Sequence, residues 1–98
     1  MHYVVITRTD DTPNSDLGYY LANVGATMEP HQGRLLAFEQ PERLEGAGEF
    51  TKMAIVEFPS EEAARGWYGS AAYQKLAAWR IATMGKPVDF SLVSGLPA

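Results

Sequence analysis

Tyr73 and Arg80 are two side chains of this sequence whose types and spacing could do chemistry. They lie in the segment GWYGSAAYQKLAAWR, residues 66 to 80, and are seven positions apart. In a helix this separation is two turns and puts both side chains on one stripe. Arginine presents a planar fork that can bind a carboxylate through two hydrogen bonds, so the stripe predicts a site for a small anion. Trp67 and Tyr20 could complete the aromatic wall of such a site.

The same residues also fit a structural role. Tryptophan and tyrosine on a helix most often pack in a core, with their polar tips at its margin. Arg80 could instead form an ion pair with Glu45 and hold the loop before the third strand against the helix, since structural ion pairs are common at such positions. Both interpretations stay open and are compatible. Trp79 lies off the stripe of Tyr73 and Arg80 and is expected to face another surface.

A reaction at this site would also need a proton acceptor. His31, in the segment MEPHQGR, would suit neutral pH, and Glu45 is a second candidate, with Arg80 holding developing negative charge. The alternative for His31 is a solvated or capping residue, because a lone histidine in a turn rarely does chemistry. For a metal there is only Glu29 with His31 and no further ligand at a recognisable spacing. We therefore predict neither a metal nor another cofactor.

The composition limits the classes of function. The chain has 98 residues, of which 46% are hydrophobic and 20% charged, and this predicts one globular domain over residues 1–98. A net charge of −4 and scattered basic residues argue against nucleic acid as a partner. No apolar run is long enough to suggest a membrane partner. The chain has no cysteine, which excludes disulfides and thiolate chemistry and suits the cytoplasm, the expected location.

The hydrophobic pattern predicts four strands and two helices in the order βαββαβ. Ser60 can cap the second helix, and Gly69 and Ser70 interrupt it, with Ser70 capping the piece that follows. The strands are expected at residues 2–8, 34–39, 51–58 and 88–95. The first helix is expected to begin at Thr12 and Pro13 and to end near Met28, and the second to run from Ser60 to Met84, before Gly85 and Pro87. This order is typical of an α+β ferredoxin-like domain, an antiparallel four-stranded sheet with helices on one face.

Both faces of the predicted sheet are apolar. On the first strand Tyr3 and Val5 alternate with Val4 and Ile6, and the third strand is also apolar on both sides. Two helices cover only one face, and the other would be a large exposed patch, which soluble proteins seldom tolerate. The sequence therefore predicts a homodimer that packs sheet to sheet, since twofold pairing is the commonest arrangement.

Three stretches carry a resemblance to a known family: LEG at 44–46, VEFPSEEAARGWYGSAAYQKLAAWR at 56–80 and LVSG at 92–95. They resemble a bacterial family of dimeric α/β-barrel proteins that is known only as a domain of unknown function. Its pattern is E-G, F-P-S, A-x-x-W-Y-x-S-x-x-Y, a later arginine and a closing glycine. The resemblance implies a ferredoxin-like subunit that pairs through its sheet. This chain departs from the family at His31, Gln32 and Gly33, where members usually have an aromatic residue and two glycines.

The wider superfamily that the resemblance implies includes monooxygenases without metal or cofactor, muconolactone-type isomerases and stress-related proteins, so the fold does not select a reaction. We expect a small homodimeric α/β-barrel protein with a pocket between helices and sheet. Its ligand would be small and partly apolar, and anionic if Arg80 binds it. The expected lining consists of Tyr20, Trp67, Tyr73 and Arg80. A cofactor-free enzyme of the monooxygenase or isomerase type, and a purely structural or interaction dimer without a ligand, are the alternatives.

Overall fold

The chain folds into a four-stranded antiparallel sheet with helices packed against it. The structure is a computed structural model that describes residues 1–9, 14–48, 50–84 and 88–97. The helices and strands in chain order are β1 (His2–Arg8), α1 (Asn14–Met28), a 3₁₀ turn (Glu29–His31), β2 (Arg34–Glu39), β3 (Lys52–Phe58), α2 (Glu61–Tyr68), α3 (Ala71–Met84) and β4 (Val88–Ser94). The predicted βαββαβ order and α+β ferredoxin-like class are confirmed. The helix signals at Thr12, Pro13, Gly85 and Pro87 lie outside the described residues.

The strand order is β2-β3-β1-β4, so that β1 and β3 are the inner strands. Val4 in β1 is opposite Val56 in β3 on one side and Leu92 in β4 on the other. The register between β2 and β3 shifts between Leu35 and Ala37, which marks a local irregularity in this edge strand. Residues that are opposite one another in register point to the same face of the sheet. Val4 and Val56 are both buried, and they therefore identify the face that the helices cover.

Two serines cap the starts of α2 and α3, as predicted. The Ser60 side chain accepts a hydrogen bond from the Ala63 backbone N–H at 3.0 Å and caps α2. The Ser70 hydroxyl accepts from the Tyr73 N–H at 3.2 Å and donates to the Trp67 carbonyl at 2.7 Å. Ser70 thus closes α2 and opens α3 with one side chain, and the rings of Trp67 and Tyr73 come to lie 4.3 Å apart.

The core lies between the helices and the buried face of the sheet. Its largest fully buried side chains are Trp67, Tyr73 and Phe58. Burying the apolar surface of each one stabilises the fold by roughly 1.5–3 kcal/mol. Phe58 also lies 5.3 Å from Trp67, ring centre to ring centre. Trp67 and Tyr73 are therefore core residues, which was one of the two roles predicted for them, whereas Tyr68 is 44% exposed.

The opposite face of the sheet carries Tyr3, Val5, Met53 and Ile55, which alternate with the buried residues of β1 and β3. The Cα atoms extend 17 Å along the shortest axis, which is the thickness of one sheet and one layer of helices. Within the described residues no helix covers this second face.

Candidate functional site

A cavity of about 50 Å³ lies between α1, α3 and the sheet. Three of the four predicted ligand-binding residues, Tyr20, Trp67 and Arg80, line it. Tyr73, which is fully buried, reaches the same place through its hydroxyl, which shares a hydrogen bond of 2.8 Å with the Tyr20 hydroxyl. The four residues predicted from the sequence are therefore brought together, although they come from three different helices.

The Tyr20–Tyr73 pair supplies neutral hydroxyl groups. Burial is the main cause that raises the pKa of Tyr20 far above its usual range, and the neighbouring Tyr73 raises it further. Burial also raises the pKa of Tyr73, while the hydrogen bond with Tyr20 and the charge of Arg80 partly offset this effect. The pair has two hydroxyl protons, of which the shared bond uses one, so one proton is left to donate to another acceptor.

Arg80 is a buried cation at the cavity wall. It is 8% exposed, and its Nε atom is buried without a hydrogen-bond partner. Its guanidinium carbon lies 5.0 Å from the centre of the Phe90 ring, a distance at which the face of the ring attracts the cation. An unpaired donor on a buried charge costs free energy that a bound acceptor would recover. The site therefore favours an anionic or strongly hydrogen-bond-accepting group next to Arg80.

The structure does not bring Glu45 to Arg80. Glu45 is exposed in the loop between β2 and β3, and the ion pairs formed among the described residues do not include one between these two side chains. The predicted structural bridge is therefore not present within the described chain. None of the described residues that line the cavity is an aspartate or glutamate.

His31 also lies apart from the cavity. It ends the 3₁₀ turn and packs against α2, where a Cβ atom added at Gly66 would lie 3.3 Å from the imidazole Nδ1. Of the three candidate catalytic residues, His31, Glu45 and Arg80, only Arg80 lines the cavity. Among the described residues no cluster of three histidine, cysteine or acidic side chains could hold a metal ion.

Trp67 is fixed at both ends of its side chain. Its indole N–H donates to the Thr27 hydroxyl at 3.0 Å, and that hydroxyl donates to the Val24 carbonyl at 2.6 Å. Its ring contacts those of Phe58 and Tyr73 in tilted arrangements, with ring centres 5.3 and 4.3 Å away. Trp67 therefore belongs to the core and, through one part of its surface, to the cavity wall.

Trp79 faces another surface, as predicted. Its ring lies 4.2 Å from that of Tyr19, and the two residues line a groove between α1 and α3. It is not among the described residues around the cavity of Tyr20 and Arg80.

A comparison with protein-family models matches residues 2–96 to the domain of unknown function DUF1330. The chain belongs to the DUF1330 family. No curated protein matches the sequence.

Solved structures that resemble this DUF1330 chain share its ferredoxin-like fold. A dimeric ferredoxin-like protein of unknown function from Jannaschia sp. CCS1 has a TM-score of 0.72 at 9% identity, with 96% of this chain and 98% of that chain covered. A protein of unknown function from Rhodopseudomonas palustris has a TM-score of 0.67 at 15% identity, with 99% and 82% covered. A mutant of SnoaB, a cofactor-independent oxygenase from Streptomyces nogalater, has a TM-score of 0.64 at 15% identity, with 99% and 93% covered.

Arg8 and Phe90 are among the lining residues that were not predicted from the sequence. Arg8, 6% exposed at the end of β1, and Phe90 in β4 both line the cavity. The signal for Arg8 was present, because it continues the alternation of Val4 and Ile6 on the buried face. An arginine at the end of a strand is usually solvated, and the alternation alone did not distinguish a solvated arginine from a buried one.

None of the described helices is both long and apolar enough to span a bilayer.

Proposed function

We propose that this DUF1330 protein binds a small, partly apolar anion in the cavity between its helices and its sheet. The observation that carries the proposal is the buried guanidinium of Arg80, whose Nε has no hydrogen-bond partner at the wall of an otherwise mostly apolar cavity. A buried cation is stable only when paired or well solvated by polar groups. A carboxylate ligand would pair with the guanidinium and accept the free proton of the tyrosine pair.

The rest of the lining suits the apolar part of such a ligand. Leu17, Val24, Ala54 and Val56 surround the cavity and are all buried. Small-molecule sites typically combine such an apolar wall with a few convergent polar groups. Here the convergent groups are Arg80 and the Tyr20 hydroxyl, and Arg8 adds a second guanidinium to the lining.

The direct test compares ligand-induced stabilisation of wild type with that of Arg80→Gln. Melting temperatures are measured with aliphatic and aromatic carboxylates, against sodium chloride at equal ionic strength. Ligands that bind the native state raise the melting temperature, and we expect this shift in wild type and its loss in Arg80→Gln. Arg65→Gln is the matched control, because Arg65 is exposed and pairs with Glu61 at 2.9 Å. Equal shifts in wild type and Arg80→Gln would remove Arg80 from this role.

A cofactor-free reaction is a second function that the same donors could serve. Arg80 and a tyrosine hydroxyl could stabilise negative charge that develops on a substrate oxygen. The similarity of the fold to that of the cofactor-independent oxygenase SnoaB supports this second proposal. However, the raised pKa values of Tyr20 and Tyr73 make them donors rather than bases. Neither His31 nor Glu45 lines the cavity within the described chain, and we therefore put binding before catalysis.

The functional unit that we propose is a homodimer joined through the open face of the sheet. The proposal is supported by the apolar residues on that face and by the likeness to a dimeric ferredoxin-like protein. Ile55→Lys, in the middle of this face, is expected to give a folded monomer in size-exclusion chromatography with light scattering. The control Ile81→Lys changes a residue of α3 that is 64% exposed and should remain a dimer. A monomeric wild type at micromolar concentration would contradict the proposal.

A further inference from the structure

The lining of the cavity crosses the whole sheet along one row of paired residues. Phe90 in β4 is opposite Ile6 in β1. Ile6 is in turn opposite Ala54 in β3, which is opposite Phe38 in β2. All four side chains line the cavity. Neighbouring strands lie about 4.8 Å apart, so the row is about 14 Å long. The lining is therefore elongated and connects one edge strand of the sheet with the other.

The two ends of this row differ in charge. At the β4 end the Arg80 guanidinium lies 5.0 Å from the centre of the Phe90 ring. Arg8, the other basic residue of the described lining, is in β1, the strand next to β4. At the β2 end the described lining is apolar and includes Phe38. The Lys52 ammonium lies 5.3 Å from the Phe38 ring, but Lys52 is not among the described residues of the lining. The row therefore runs from a buried cation to an apolar end.

The apolar end of the row is open to solvent. Leu35 in β2 is 42% exposed and Leu21 in α1 is 36% exposed, and both line the cavity. Ile6 and Phe38 are only partly buried, although they belong to the face that the helices cover. Apolar side chains that stay exposed beside a cavity are typical of a ligand-binding groove. An apolar chain can therefore start at the buried guanidinium, follow the row and reach solvent beside Leu35.

From this polarity we infer that the ligand is a medium-chain aliphatic monocarboxylate. The inference rests on the proposed function and narrows its ligand class. The carboxylate pairs with Arg80, and the alkyl chain lies across Ile6 and Ala54 with its methyl end toward Phe38. At ordinary bond lengths and angles an extended octanoate is about 9 Å long, so it fits within the row. Each methylene group that leaves water tightens binding roughly fourfold.

The first experiment is a chain-length series on the wild-type protein. Dissociation constants are measured by isothermal titration calorimetry with acetate, butyrate, hexanoate and octanoate, below the concentrations at which micelles form. We expect the dissociation constant to fall roughly fifteenfold for each two carbons added, with an increasingly negative heat capacity of binding. Equal affinities for acetate and octanoate, with both lost in Arg80→Gln, would overturn the inference while leaving the proposed function intact.

The second experiment replaces the methyl end of the ligand by a second carboxylate. Suberate has the same number of carbons as octanoate but is charged at both ends. Its second carboxylate would lose water beside the apolar side chain of Phe38, so we expect suberate to bind at least about tenfold more weakly than octanoate. Suberate that binds as tightly as octanoate would contradict the apolar end of the row and would point to Lys52 as a partner of the second carboxylate.

The third experiment blocks the middle of the row. Ala54 is buried and lies between Ile6 and Phe38, so Ala54→Leu places three more carbons in the path of the alkyl chain. We expect this variant to keep the wild-type affinity for acetate and to lose the gain for octanoate. Ala78→Leu, at an exposed position of α3 outside the described lining, is the matched control and should keep both affinities. Octanoate binding that is unchanged in folded Ala54→Leu would contradict the proposed path.

The outcomes separate the inference from the proposed function. No binding of any carboxylate to wild type would overturn both. Octanoate affinities that are equal in wild type and Arg80→Gln would also overturn both, because the carboxylate would then not lie at Arg80. Because the chain-length series and the suberate comparison need no variant, the inference stays testable even if Ala54→Leu does not fold.

Discussion

Replacing Arg80 by methionine is expected to leave the free energy of unfolding within about 2 kcal/mol of wild type, or to raise it. The reason is that Arg80 makes no ion pair with another described side chain, so its removal strands no described carboxylate. Methionine keeps an unbranched apolar stem in the same place, so most of the packing is retained. An unchanged or raised free energy of unfolding would be unusual for the loss of a buried charged residue. It would agree with a residue whose role is to bind a ligand and not to stabilise the fold.

The magnitude follows from two opposing contributions. Removing the buried, unpartnered Nε relieves a cost of about 1–3 kcal/mol. Losing the contact between the guanidinium and the Phe90 ring, 5.0 Å apart, costs about 0.5–2 kcal/mol. The two nearly cancel, and stabilisation results if the first dominates.

The assay is urea denaturation followed by tryptophan fluorescence, at one protein concentration because a dimer's stability depends on it. Arg65→Met is the control for loss of an exposed arginine, and its effect should stay below about 1 kcal/mol. A loss of more than about 3 kcal/mol in Arg80→Met would refute the reasoning, because that is the cost of breaking a buried ion pair.

Three further predictions concern the tyrosine pair and two glycines. Tyr20→Phe and Tyr73→Phe should each lower the free energy of unfolding by about 1 kcal/mol. The double variant should lose less than the sum of the two single losses, by about 0.5–1.5 kcal/mol, and additive losses in urea denaturation would exclude a shared hydrogen bond. Because burial raises both pKa values, the stability that their neutral forms contribute is complete below pH of about 10 and is lost as pH rises further. At a pH of about 10, the tyrosinate absorbance of the native wild type should therefore equal that of the native Tyr20→Phe, Tyr73→Phe double variant. A smaller absorbance in the double variant would contradict this prediction. Gly33→Ala should lower the free energy of unfolding by about 1–3 kcal/mol, because the added Cβ would lie 2.6 Å from Phe58 Cε1. Gly25→Ala, where the added Cβ would have no atom within 4 Å, should stabilise α1 by up to about 1 kcal/mol. Similar effects of the two substitutions would contradict this packing.

Much of the fold was predictable because its signals are local. The alternation of β1, the caps at Ser60 and Ser70 and the interruption at Gly69 each depend on a few neighbouring residues, and the structure confirms all of them. The side-by-side placement of Tyr73 and Arg80 on α3 was also predictable, because the helical repeat alone determines it.

The candidate site was only partly predictable. His31 and Glu45 were proposed because their chemistry suits a base, but chemical type carries no information on which way a loop points. Arg8 and Phe90 were missed because their place in the cavity depends on β1 and β4 being neighbours, which no short stretch of sequence records.

The sequence by itself determined the order of strands and helices, the break between α2 and α3, and the stripe that carries Arg80, since each follows from spacing and backbone preference within one segment. Only the tertiary structure decided that the Tyr20 hydroxyl meets that of Tyr73, 53 residues away, and that Arg80 is buried beside Phe90 without Glu45. The physical reason is that these contacts depend on how α1 and α3 lie across the sheet. That arrangement is set by the packing of the whole core around Trp67, to which residues from most of the helices and strands contribute.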